Sequence, residues 1–182
     1  MALKATVCRA ALQIADIDRG VYIDRALTLA RHPSENDERM MVRLLAFALN
    51  VPADPRDGDL EFAKGMWDPD EPEMWERDLT GRIRHWIEVG QPEERRLAKA
   101  SGRADRVSVY AFSHSARNWW SGLGARLRNA PGVEIWQIAA EQSRELALLA
   151  ARGMQLQLTR QDGEVLVADG DRSVRVLPER MT

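Results

Sequence analysis

Two glutamates on a predicted β-hairpin are the pair of residues whose type and spacing first suggest chemistry. The segment 71–90 has Thr80-Gly81 at its centre, and this dipeptide predicts a turn between two strands. A loop centred there gives these cross-strand pairs: Asp78 with Ile83, Trp75 with Trp86, and Glu73 with Glu88. Because side chains alternate between the two faces of a strand, Glu73 and Glu88 should lie side by side.

Two carboxylates directly opposite each other destabilise a sheet. A fold that keeps such a pair usually places a cation between them or lets them share a proton. Mg²⁺ prefers carboxylate and water oxygens, and it can polarise a phosphodiester and lower the pKa of an attacking water. We therefore predict a Mg²⁺ site at Glu73 and Glu88, with Glu38 as a third ligand. The alternative is a set of solvated surface acids.

Glu38 lies near the start of a predicted helix. Ser34 suits the N-cap of this helix, and apolar residues recur at helical spacing from Met41 to Ala48. Glu35 precedes Arg39 by one turn, which favours a surface ion pair. Glu38 lies at the edge of the apolar stripe, where it either compensates the helix dipole or belongs to a site.

A group of basic residues follows Glu88. If Arg95, Arg96 and Arg103 surround the acidic pair, they offer phosphate contacts, and we predict that they bind nucleic acid. Lys99 lies on the helix that leaves the Glu88 strand and could neutralise developing negative charge. Ion pairs with neighbouring acids are the simpler alternative for Arg95 and Arg96.

Composition limits the classes of function that are open to the chain. The 182 residues carry a net charge of −2, so nucleic acid would have to bind a local basic face. Cys8 is the only cysteine, which excludes an internal disulfide and a cysteine-rich zinc site. No stretch is apolar for long enough to span a bilayer, so we expect no membrane partner.

The predicted elements form a mixed α/β fold. From about residue 34 to 138 the order begins helix, strand, strand, strand, helix, strand, and the last strand–helix–strand unit should be a parallel crossover. Strands at 3–14 and 21–29 form an opening hairpin, and Asp162-Gly163 centres another near the end. We expect these terminal strands to form a second sheet within a single domain of residues 1–182.

Several runs of residues resemble the YaeQ family of bacterial proteins over essentially the whole chain. The runs are Met1-Ala2-Leu3-Lys4-Ala5-Thr6, Thr28-Leu29-Ala30-Arg31-His32-Pro33-Ser34-Glu35, Glu38-Arg39-Met40-Met41, Trp86-Ile87-Glu88-Val89-Gly90-Gln91-Pro92 and Lys99-Ala100. The resemblance implies a small cytoplasmic bacterial protein with a variant of the PD-(D/E)XK nuclease fold over about residues 34–138, whose core has the element order given above. It also implies a link to transcription elongation.

The superfamily pattern falls on the same hairpin. Pro72-Glu73 takes the place of its Pro-Asp pair, and Glu88-Val89-Gly90 takes the place of its acid-X-Lys triplet. The first-helix acid would be Glu38, with Glu35 as the alternative. Gly90 stands where the catalytic lysine is expected, and Gln91 or Lys99 would have to replace it.

Two hypotheses follow. One is a Mg²⁺-dependent nuclease in which Glu73 and Glu88 are catalytic together with Gln91 or Lys99. The other is a catalytically inactive nuclease-fold protein that binds nucleic acid or a protein partner, with a role in transcription regulation. The substitution at Gly90 and the near-neutral net charge favour the second.

Overall fold

The structure is a computed structural model and describes residues 4–127 and 130–182. Leu3, with which the first predicted strand begins, lies outside them. The described helices are α1 (Asp37–Asn50), α2 (Glu94–Ser101), α3 (Ser115–Leu127) and α4 (Ala140–Ala147). The described strands are β1 (Thr6–Asp16), β2 (Val21–Arg31), β3 (Gly58–Phe62), β4 (Met74–Asp78), β5 (Ile83–Val89), β6 (Ala104–Ala111), β7 (Val133–Gln137), β8 (Gly153–Gln161), β9 (Glu164–Ala168), β10 (Ser173–Val176) and β11 (Glu179–Arg180). None of the described helices has both the length and the apolar character needed to cross a bilayer.

The strands form two mixed sheets, which confirms the predicted mixed α/β class. Residue contacts divide the chain into two compact units. The first ends at Ala53 and resumes over Glu141–Leu177, while the second comprises Asp54–Ala140 and Pro178–Thr182. The first unit therefore holds α1, and the second holds β3 to β7. A single domain of residues 1–182 with a nuclease-like core over about 34–138 stays a prediction.

The first unit is built on a five-stranded sheet with the order β10-β9-β8-β1-β2. The opening hairpin and the terminal strands share this sheet, as the sequence predicts. Strand β1 runs antiparallel to β2 and parallel to β8, and the residues along each strand are alternately buried and exposed. One face of the sheet therefore belongs to a core, and the other face remains exposed.

Helix α1 begins later than the sequence indicates. Its N-cap is Asn36, whose side-chain oxygen accepts a hydrogen bond from the backbone N–H of Arg39 at 2.8 Å. The predicted N-cap Ser34 is wrong, because Ser34 lies in the preceding turn and its N–H donates to His32 Nδ1 at 3.1 Å. The side-chain oxygen of Asn36 therefore caps the helix two residues further along the chain than predicted.

The second unit is built on a six-stranded sheet with the order β11-β7-β6-β5-β4-β3. Strands β5 and β6 are parallel neighbours joined through α2, which confirms the predicted crossover. Leu97 and Ala100 of α2 pack with Trp86, Val107 and other buried residues on one face of this sheet. The two-residue strand β11 escaped prediction because it is too short to show any period.

Candidate functional site

The central hairpin has the predicted register at Met74 and Trp75. Trp75 lies opposite Trp86, with ring centroids 6.3 Å apart in an edge-to-face arrangement. The backbone N–H of Glu73, just before β4, donates to the carbonyl of Ile87 at 3.2 Å, which is one residue out of this register, so the regular pairing ends at Met74. Glu73 and Glu88 are each only 3% exposed, and they lie close enough for the charge of Glu73 to raise the pKa of Glu88.

Nearer the turn the register shifts. Glu76 pairs with His85, but Arg77 pairs with Ile83, so Arg84 has no partner opposite it. The predicted pairing of Asp78 with Ile83 is wrong because of this β-bulge, which inserts one residue into β5. The bulge lies on the turn side of the Trp75–Trp86 pair, which keeps its predicted alignment.

The carboxylate of Glu88 has two strong donors. Trp86 lies on the same face of β5, and its indole Nε1–H donates to Glu88 Oε1 at 2.7 Å. Arg96 Nε on α2 donates to the same oxygen, also at 2.7 Å. Burial raises the pKa of Glu88, and the charge of Glu73 raises it further, while Arg96 and Trp86 act in the opposite direction.

Arg96 also holds a loop in place. Its NH1 group donates to the carbonyl of Pro69 at 2.8 Å, and its NH2 group donates to the carbonyl of Glu71 at 2.7 Å. The guanidinium thus contacts the loop before β4 and the acid at the end of β5 at once. This arrangement can form because only Gly90 to Glu93 separate β5 from α2, whose first turn therefore lies beside Glu88.

Glu73 lies against Gly65 in the turn before the same loop. Gly65 has φ of +51°, and a Cβ added there would lie 2.5 Å from Glu73 Oε2. A side chain at Gly65 would therefore require this carboxylate to move.

Two buried carboxylates are hard oxygen donors, as Mg²⁺ requires, but their arrangement does not fit a hydrated ion. Mg²⁺ usually keeps several waters, whereas Glu73 and Glu88 are almost fully buried. Glu88 Oε1 is already bonded to a cation, Arg96. Within the described part of the second unit, no group of three or more His, Cys, Asp and Glu side chains could hold a metal ion. The Mg²⁺ site stays a prediction.

The two candidates for the missing lysine have other partners. The Gln91 side-chain amide donates to the carbonyl of Phe112 and lies 3.4 Å from Ser113 Oγ. Lys99 forms an ion pair with Asp70 in the loop before β4, and this contact lowers the pKa of Asp70. Their catalytic roles stay predictions, and neither contact is with Glu88.

Gly90 occupies the position of the expected lysine for a backbone reason. Its φ is +100°, in the region that favours glycine, and its N–H donates to the carbonyl of Tyr110 at 2.9 Å. A lysine there would strain the chain at the end of β5. The backbone conformation at Gly90 therefore accounts for this departure from the superfamily pattern.

Of the predicted phosphate contacts, two are used within the protein. Arg103 donates to the carbonyl of Asp70 at 3.1 Å and lies over the Trp86 ring, 5.4 Å from its centroid. Arg96 binds Glu88 as described above. Arg95 is exposed at the start of α2. Nucleic-acid binding by Arg95, Arg96 and Arg103 stays a prediction.

The acids of α1 and its approach belong to the first unit. Glu38 Oε1 accepts a hydrogen bond from Ser143 Oγ at 2.6 Å, and the convergence of Glu38 with Glu73 and Glu88 stays a prediction. Glu35 is ion-paired with Arg39 as expected, but it is buried and also pairs with Arg43 at 2.9 Å. Two guanidinium partners make Glu35 a structural acid.

A second buried polar group was not foreseen. His85 is 1% exposed, its Nε2 lies 2.8 Å from Ser108 Oγ, and Arg106 NH2 lies 2.8 Å from its Nδ1. A guanidinium can only donate, so Nδ1 must accept and Nε2–H must donate to Ser108. His85 is therefore no base for Ser108, and burial lowers its pKa to about 3. Period-two alternation along β5 predicted that His85 faces away from Glu88. Its partner Ser108 lies on β6, and nothing in the sequence indicated this contact.

These observations define a mixed α/β protein with two mixed sheets and two buried glutamates, of which Glu88 is ion-paired with an arginine. A family model described as YaeQ protein matches residues 1–178, and the chain belongs to the YaeQ family. Uncharacterized YaeQ proteins from Salmonella typhi and Escherichia coli K12 are each 41% identical over 177 residues, which cover 97% of this chain and 95% of theirs.

Two crystal structures share the fold. The YaeQ protein from Xanthomonas axonopodis pv. citri has 42% sequence identity and a TM-score of 0.91, over 98% of this chain and 99% of its own. The YaeQ protein from Pseudomonas syringae has 36% identity and a TM-score of 0.90, over 98% of this chain and 96% of its own. The resemblance to the YaeQ family is thus confirmed, and so is the mixed α/β class, whereas the PD-(D/E)XK variant stays a prediction.

Proposed function

We propose that this chain is a catalytically inactive variant of the PD-(D/E)XK nuclease fold that acts by binding a protein partner. The observation that carries the proposal is the contact of Arg96 with Glu88, where hydrolysis would need a metal ion. Gly90 supports it, since its φ of +100° disfavours a lysine at the motif position.

The use of the basic side chains favours protein over nucleic acid as the partner. Arg96, Lys99 and Arg103 are bonded to Glu88 or to the loop before β4. A phosphate would have to displace these contacts, and the net charge of −2 adds no general attraction. The transcription elongation machinery, to which the family resemblance points, is the first place to seek the partner.

A second candidate function is the Mg²⁺-dependent hydrolysis of nucleic acid. It is favoured by the burial of both Glu73 and Glu88 and by the order of α1, β3 to β5, α2 and β6. Glu73 and Glu88 would hold the ion, which would have to displace Arg96 from Glu88.

One experiment separates the two functions. Branched DNA, single-stranded DNA and RNA are incubated with the protein and Mg²⁺ or Mn²⁺, alongside the variants Glu88→Gln and Glu145→Gln, which makes the same change at an exposed residue of α4. We expect no cleavage above the level of Glu88→Gln, and no calorimetric heat of metal binding. Cleavage that Glu88→Gln loses and Glu145→Gln retains would establish the nuclease and overturn our proposal.

A further inference from the structure

The exposed face of the first sheet has an ordered pattern of side chains. The outward residues of β1 are Val7, Arg9, Ala11, Gln13 and Ala15, and those of β2 are Tyr22, Asp24, Ala26, Thr28 and Ala30. The register of the two strands arranges them in rows: Val7 beside Ala30, Arg9 beside Thr28, Ala11 beside Ala26, Gln13 beside Asp24, and Ala15 beside Tyr22. The Ala11–Ala26 row lies at the centre.

The rows on the two sides of the Ala11–Ala26 row carry complementary side chains. Of the two rows directly next to it, one holds Arg9 and the other holds Asp24. Within the part of the chain that the structure describes, neither side chain has an ion-pair partner. Two rows away are the exposed apolar side chains of Val7, 55% exposed, and Tyr22, 68% exposed.

We propose that two copies of this chain stack these faces about a two-fold axis along the Ala11–Ala26 row. Such an interface is isologous, so each row meets its counterpart across the axis. Arg9 then lies over the row that holds Asp24 of the second copy, and Tyr22 lies over the row that holds Val7. Both charge and apolar surface are therefore matched twice in the dimer.

The dimensions of the face suit this packing. Stacked sheets lie about 10 Å apart, a gap that facing long side chains can fill, and alanines at the centre allow close approach. Shallow grooves of about 360, 450 and 540 Å³ cross the face, between Gln13, Gln155, Gln157 and their neighbours. They offer space for long side chains of the second copy.

Sedimentation equilibrium of the full chain tests the proposal. We expect the parent protein to dimerise reversibly. Arg9→Asp and Asp24→Arg should each weaken dimerisation roughly tenfold or more, because each puts like charges together at two symmetric places. The double variant Arg9→Asp/Asp24→Arg restores opposite charges, so its Kd should return to within about threefold of the parent.

Arg117→Asp is the matched control. It makes the same change of charge at an exposed residue of α3 that is not part of this face, and it should leave the Kd unchanged. A parent that stays monomeric would overturn the proposal. So would a dimer that neither single variant weakens, as edge-to-edge pairing through β2 would give, or a double variant no tighter than the singles.

Discussion

Glu88 keeps a carboxylate in a buried place because Arg96 lies against it. Removal of one partner from a buried ion pair leaves an uncompensated charge. We predict that Arg96→Gln lowers the free energy of unfolding by about 2 kcal/mol at neutral pH. The pKa of Glu88 is raised, so the carboxyl can take up a proton as pH falls. The loss should therefore be smaller near pH 5, as urea unfolding at the two pH values would measure.

Arg95→Gln is the control for this experiment, since it removes the same charge from the adjacent, exposed position. Its effect should stay within about 0.5 kcal/mol at either pH. Equal losses in the two variants, or a loss in Arg96→Gln that does not change with pH, would contradict the role given to Arg96.

His85 gives the free energy of unfolding a second pH dependence, whose sign is opposite to that of Glu88. Its pKa is about 3 in the folded protein against 6.5 in the unfolded chain, so the unfolded chain binds more protons at acid pH. The stability that His85 contributes is present above pH 6.5 and is lost as pH falls towards 3. We predict that the parent loses about 2 kcal/mol more than His85→Gln between about pH 7 and pH 5. Chemical denaturation of both proteins across this range measures the difference, and parallel curves would contradict it.

At the scale of elements, the sequence predicts what a strict period or a tight turn determines. Alternation about Thr80-Gly81 was enough to pair Trp75 with Trp86 and to predict that Glu73 lies near Glu88. The bulge at Arg84 was not predictable, because an inserted residue on an exposed stretch leaves both the pattern and the composition unchanged.

The counter-ion of Glu88 was also not predictable from the sequence. Arg96 and Lys99 both lie on α2, the helix that follows the Glu88 strand, and a spacing of three residues puts them on the same side of the helix. Which of them reaches Glu88 depends on the rotation of the helix and on the loop before β4. Asp70 of that loop forms an ion pair with Lys99, and Arg96 is the residue that pairs with Glu88.

The turn that supports Glu73 gives a prediction at this scale. Gly65→Ala would place a Cβ 2.5 Å from the buried carboxylate of Glu73, in addition to the strain of φ at +51°. The backbone strain of Gly81→Ala is at least as large, because its φ of +86° lies outside the left-handed region of about +50 to +70°, but nothing lies within 4 Å of its Cβ. We expect Gly65→Ala to lower the free energy of unfolding by about 1 kcal/mol more than Gly81→Ala.

A double-mutant cycle isolates the contact with Glu73. If the extra loss comes from that carboxylate, Gly65→Ala should cost no more than Gly81→Ala when both are made in a Glu73→Ala protein. An extra loss that persists without the Glu73 carboxylate would show that its cause lies elsewhere in the turn.

At the scale of the whole molecule, the chain enters the second unit twice. Its last residues, Pro178–Thr182, belong with Asp54–Ala140, although the segment between them is part of the first unit. All six tryptophans lie between residues 67 and 136, so their fluorescence reports the second unit alone. Far-ultraviolet circular dichroism reports both units. Comparison of the two signals in one sample therefore follows the unfolding of the second unit separately.

Deletion of residues 178–182 should destabilise the second unit. Strand β11 pairs with β7, the N–H of Met181 donates to the carbonyl of Ile135 at 2.8 Å, and the Met181 side chain packs against the core around Trp86. Loss of these contacts should cost about 1–2 kcal/mol and expose the edge of β7. We expect the urea midpoint of the tryptophan fluorescence to fall. Met181→Ala in the full-length chain should give part of this shift, and a midpoint unchanged by the deletion would show that these residues contribute nothing to the unit.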